Sequence, residues 1–228
     1  MSSYDRQRFR IHSGDLSVID DQAGVAARRR PTPRSLVRQR WIVGFLSAAF
    51  FTCLSVVTAR VAIYLPFTPV PITLQVLAMV LAGLVLGPRL GALSQAQYLA
   101  LGLAGAPVFA SAAPGLGVLA SPTAGYLFGF VAGSYATGLV VERWARQSWL
   151  GALGSGLAGI AAVYICGASW LCWWLVLTSS LPLQEGAQRA FVWGVVPFAP
   201  VDAAKAVLAA ATWRGGRECL RSLWPFSS

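Results

Sequence analysis

"VPFAPVDAAKAVLAAATW", residues 196–213, decides the fold class. It is nearly all carbon surface, and with the apolar residues just before it the run reaches the ~20 residues a helix needs to cross the hydrocarbon core of a bilayer. Yet it holds Asp202 and Lys205, the only lysine in a chain that otherwise uses arginine. An ionised side chain at mid-membrane costs ~2.5–3.5 kcal/mol on insertion scales, so two of them need a reason. Positions i and i+3 share a helix face, which puts the carboxylate and the ammonium within reach of each other and of one cavity. Two readings are open: a pair that only cancels its own charge, and a pair that faces the bundle interior to meet a small solute. Ionisable groups inside a membrane bundle are functional by default, which favours the second. Pro197 and Pro200, one turn upstream, free backbone carbonyls and distort the helix, as happens at sites in transporters.

The rest of the chain agrees with a bilayer as solvent. Of 228 residues, 56% are hydrophobic and 11% charged, with a mean hydropathy of +0.62, a mixture foreign to water-soluble domains of this length. The net charge of +10 does not read as nucleic-acid binding, because the arginines cluster at the ends of apolar segments and not over a basic face. Nine of the 18 basic residues precede position 41, in stretches such as "RRRPTPRSLVRQR". We read residues 1–36 as a disordered basic tail, too polar for a secretory signal and, with Asp5, Asp15, Asp20 and Asp21, too acidic for an organellar transit peptide. Residues 37–228 then form the membrane domain.

Six apolar stretches follow, at 41–64, 71–88, 90–105, 123–142, 149–178 and 191–213, which predicts an all-α, polytopic membrane protein of about six spans. The third is short. The positive-inside rule places both termini in the cytoplasm, with anionic headgroups beside the tail, since the inverse topology strands the tail arginines outside. Trp41, Trp144, Trp149, Trp173, Trp174 and Trp213 fall near predicted span ends, where an interfacial aromatic belt belongs. Two connections on the opposite side stand out: "LPFTPVPIT" (65–73), with three prolines, and the nearly uncharged "GAPVFASAAPGLGVLASPTAGY" (105–126). A loop that long and uncharged can fold over a cavity without stranding ions.

The motifs are specific in combination. "PFTPVPITLQVLAMVLAGLVLGPRLGALSQAQYLALGLAGAPVFA" (66–110), "SPTAGYLFGF" (121–130) and "PFAPVDAAKAVLA" (197–209) together resemble the BioY family, the biotin-capturing S component of energy-coupling-factor (ECF) transporters. The likeness covers about half of the chain and leaves the tail and the fifth stretch unmatched. It implies an S-component-like six-helix bundle that takes biotin from the outer side for delivery to the cytoplasm. The implied partners are a transmembrane coupling (T) subunit and ABC-type ATPases, and no cofactor is implied beyond the transported ligand. The family's acid and lysine fall on Asp202 and Lys205, and Gln75, Tyr98, Thr123 and Tyr126 in matching segments are further candidates for the pocket. The sequence departs from the family pattern at "ASAAPGLG" (110–117), at "SPTAGY" and at Val201, which bears on loop geometry more than on substrate.

Biotin's chemistry suits these residues: a valerate carboxylate, a ureido ring with two N–H donors and a carbonyl, and an apolar bicycle. Lys205 offers a charge-assisted contact and Asp202 an acceptor, while tyrosines offer rings and hydroxyls. Which end of biotin faces Lys205 is open at this stage, as is a different small vitamin or heterocycle. An intramembrane enzyme is disfavoured. The only histidine, His12, is in the tail, a two-aspartate mechanism lacks its second intramembrane acid, and no serine lies a turn from Lys205. Cys53, Cys166, Cys172 and Cys219 lack metal-ligand spacing. No phosphate-binding "GxxxxGK[ST]" loop occurs, so energy for transport comes from another subunit. Ala48, Thr52, Ser55 and Ala59 form a small-residue stripe on the first span that fits either subunit docking or internal packing.

Overall fold

The computed structural model describes residues 33–110, 115–144 and 148–223, with side chains described from 41 onward and up to 218. The expected disordered tail lies outside the described residues except at 33–36, which begin a helix. The chain divides into two units, Met1–Ile42 and Val43–Ser228, and the site belongs to the second.

Among the described residues six helical elements run in order: α1 (Pro33–Ala59), α2 (Gln75–Leu103), α3 (Ala124–Trp144), α4 (Trp149–Ser179), α5 (Leu183–Gly194) and α6 (Ala199–Leu223). A 3-10 helix, Gly115–Ala120, precedes α3. Between α1 and α2 the chain makes a hairpin, β1 (Ala62–Ile63) with β2 (Ile72–Thr73), antiparallel with Ala62 opposite Thr73. Among the described residues this hairpin is the one departure from an all-α reading, and it ends the first span at Ala59 and delays the second to Gln75.

Although α2 is one continuous range, its interior is broken at Gly87 (φ 77, ψ −175), followed by Pro88. Gly87 supplies the positive φ and Pro88 removes a ladder N–H, so the chain reverses there. The proof is a hydrogen bond of 2.7 Å from Gln75 Nε2 to Tyr98 Oη. In a straight helix those residues would be about 35 Å apart at ~1.5 Å per residue. The two arms of α2 are thus the second and third predicted spans. Gly138 of α3 fits against the turn so closely that a Cβ there would lie 2.3 Å from Pro88 N.

Among the described residues, four helical ranges are long and apolar enough to cross a membrane, with the reversed α2 counted as one, and the pair α5 and α6, bent by 48°, passes the same test when taken together. The protein is a multi-pass membrane protein. The last span begins at Leu183 and not near 191, because Gln184, Glu185, Gln188 and Arg189 lower the hydropathy of a segment that is nevertheless helical. The packing is that of helices in lipid, where association rests on close contact of small residues. Ala48, Thr52, Ser55 and Ala59 are all buried. Thr52 donates to Ser94 O at 2.9 Å, and Ser55 to Gln95 Oε1 at 3.2 Å. The stripe on α1 therefore serves internal packing against the second arm of α2, while Phe45, Leu46, Phe50 and Val57 face outward.

Candidate functional site

The cavity sits where the α5–α6 span breaks. Pro197 has no N–H to give the carbonyl of Trp193, four residues earlier, and the N–H of Phe198 bonds Val195 O at 3.1 Å instead of serving Gly194. A buried carbonyl without a partner costs ~1–3 kcal/mol. Both orphans are satisfied from elsewhere: Thr68 Oγ1 donates to Trp193 O at 2.8 Å, and Tyr126 Oη to Gly194 O at 2.9 Å. The break is thereby fixed, and α6 starts with Asp202 in its first turn.

Asp202 and Lys205 are 3% and 6% exposed, so this is a buried ion pair. Lys205 Nζ lies 2.7 Å from Asp202 Oδ1 and donates to Thr73 O of β2 at 2.6 Å. The second carboxylate oxygen, Oδ2, accepts from Tyr164 Oη of α4 at 2.7 Å. The polar series continues past β2. Thr73 Oγ1 lies 3.1 Å from Gln75 Oε1, Gln75 donates to Tyr98, and Tyr98 Oη donates to Val108 O at 3.2 Å. It runs from α4 to the 105–123 loop along the inside of the bundle.

Around the pair the walls are mostly apolar. They include Val70, Val76, Phe109, Phe130, Val163 and Phe198 with Gln75, Thr123, Tyr126 and Tyr164, and enclose about 630 Å³ of empty space, counting the open mouth. Small-molecule sites have this mixture of an apolar body and a few convergent polar groups. Phe109 brings the long loop into the wall, packed edge-to-face on Tyr98 with ring centroids 5.5 Å apart. The same loop is tied down by Trp170 Nε1 to Ser121 O at 3.0 Å, Trp174 Nε1 to Ala120 O at 2.9 Å and Tyr64 Oη to Ala110 O at 2.6 Å.

Of the residues singled out in the sequence, Gln75, Thr123, Tyr126, Asp202 and Lys205 line this cavity. Tyr98 does not: it stands behind Gln75, 1% exposed. Sequence reasoning missed Tyr164, whose only signal was a hydroxyl in the middle of an apolar helix, and Thr73, which acts through its carbonyl.

The pattern of the BioY family matches residues 32–222. The chain belongs to the BioY family. Among curated proteins, "Biotin transporter BioY" of Thermotoga maritima is 39% identical over 165 residues, 72% of this chain and 90% of the relative. The protein of the same description from Rhizobium etli is 36% identical over 176 residues, 74% of this chain and 89% of the relative. Among solved structures, the fold matches one described as the S-component for biotin from an ECF-type ABC transporter, with a TM-score of 0.66 and 29% identity over 79% of this chain and 93% of that one. The BioY match takes in all of α2 to α5, including α4, the segment whose sequence carried no visible resemblance.

Proposed function

We propose that this chain captures biotin in the Asp202–Lys205 cavity, as the substrate-binding subunit of a transporter, and that the ureido end faces the ion pair. The observation that carries the orientation is the hydrogen-bond inventory of the pair. An ammonium has three donors and a carboxylate about four acceptor sites. Lys205 spends donors on Asp202 and Thr73 O, leaving one. Asp202 spends acceptor sites on Lys205 and Tyr164, leaving about two. What remains is a donor beside an acceptor, which matches a ureido C=O beside its N–H. The pair is also neutral as a unit, so it offers the valerate carboxylate no net positive charge to offset its desolvation. Gln75 and Thr123 give further polar contacts, the Tyr126 ring packs on the bicycle, and Tyr98 supports Gln75.

Delivery to the cytoplasm requires an energy source that the sequence lacks, and we assign it to a T subunit and ABC-type ATPases. The arginine distribution supports a cytoplasmic position for both termini. Calorimetric titration of the purified protein tests the reading. Biotin should bind saturably in the submicromolar to micromolar range, and biotin amide, with its tail uncharged, should bind within about ten-fold of it. An analogue methylated on a ureido nitrogen should bind far more weakly. Loss of binding on amidation, with the N-methyl analogue unaffected, would reverse the orientation, and no biotin binding would remove the function.

A further inference from the structure

The geometry points to Tyr164 as a positioning residue that acts through Asp202 to set the acceptor presented to the ligand. This rests on the reading above that Asp202 meets a ligand N–H. Lys205 and Asp202 lie on one helix, three residues apart, and their mutual contact alone leaves the carboxylate free to rotate about its χ2 bond. Torsions of this sp²-terminated kind are broad, so one anchored oxygen does not fix the plane. Tyr164 supplies the second anchor from a different helix: its Oη donates to Oδ2 at 2.7 Å while Lys205 holds Oδ1 at 2.7 Å. Tyr164 itself lines the cavity wall.

With both oxygens held, the carboxylate plane is fixed and its unused lone pairs have defined directions. The result is a chain across three elements, α4 to α6 to β2, in which Tyr164 is the end member and the only one contributed by α4. The other cavity tyrosine cannot substitute, since the Tyr126 hydroxyl is committed to Gly194 O. Tyr164→Phe removes one oxygen atom and leaves the ring in place, so its effect on packing is small and its effect on Asp202 is direct.

The test is a cycle with Asp202→Asn, read by titration with biotin and by infrared spectroscopy of the ligand-free protein. Tyr164→Phe should weaken biotin binding about ten-fold in the wild-type background and less than about two-fold in Asp202→Asn, because the hydrogen bond it removes no longer ends on a carboxylate. In the infrared, Tyr164→Phe should shift an antisymmetric carboxylate band relative to wild type, and the same substitution on Asp202→Asn should shift none. This second reading needs no ligand and survives variants whose affinity is too low to titrate. Equal losses in both backgrounds, or an unmoved carboxylate band, would overturn the role of Tyr164. If wild type itself fails to bind biotin, the functional reading falls, and a shifted band would still show the coupling of Tyr164 to Asp202.

Discussion

Removing the ammonium while keeping the bulk, as in Lys205→Met, separates the two meanings of the buried pair. Lys205 Nζ has a carboxylate oxygen at 2.7 Å and the Thr73 carbonyl at 2.6 Å, and neither is compensated when it is lost. Breaking one side of a buried pair costs ~3–5 kcal/mol of stability, since the remaining charge is left without a partner. For ligand binding, a charge-assisted hydrogen bond is worth ~1.5–3 kcal/mol, which corresponds to roughly 10- to 150-fold in Kd. The disorganised Asp202 acceptor adds to that. The assay is calorimetric titration of biotin into Lys205→Met, with thermal unfolding of the same sample. We expect unfolding at a clearly lower temperature and a Kd raised by at least ten-fold. A variant that binds within three-fold of wild type refutes a role for Lys205 in the site, and a variant of unchanged stability refutes the geometry of the pair.

Three other substitutions probe the frame that holds the site. Thr68→Val leaves the Trp193 carbonyl without its donor, and Tyr126→Phe does the same for Gly194 O; each should destabilise by ~1–3 kcal/mol, read as a lower unfolding temperature, and Tyr126→Phe should keep its ring contact with ligand. Gly138→Ala should be severe, because the new Cβ would sit 2.3 Å from Pro88 N and 2.4 Å from Gly87 C, backbone atoms with little room to yield. Overpacking costs ~1–3 kcal/mol or more. Gly154→Ala, with nothing within 4 Å of its Cβ, is the control and should be neutral or slightly stabilising. Equal unfolding temperatures for these two alanine variants would contradict the reversal of α2 at Gly87.

The parts of the fold legible in the sequence were those with a local cause. Apolar length gave the spans, the break between the stretches 71–88 and 90–105 fell at the Gly87–Pro88 reversal, and Pro197 and Pro200 marked the broken last span. The start of that span was missed because Gln184, Glu185, Gln188 and Arg189 hide an amphipathic helix from a hydropathy reading, which averages over faces. At the site, Asp202 and Lys205 were legible because charge in an apolar run is rare. Tyr164 was not, since α4 is apolar all round and its sequence says nothing about which face meets the cavity. Tyr98 was displaced from the pocket for a related reason: the register of the folded α2 arms puts Gln75 between it and the open space. The stripe on α1 fitted docking and packing equally until the partners of Thr52 and Ser55 were known.

The most direct test of the central claim is binding of radiolabelled biotin to wild type and to the double variant Asp202→Asn/Lys205→Met, which removes both charges and leaves no ion unpaired. The double variant should fold with a stability close to that of wild type. Wild type should show saturable binding and the double variant none at concentrations that saturate wild type. Equal affinity in the two proteins would mean that the buried pair is not where biotin is recognised.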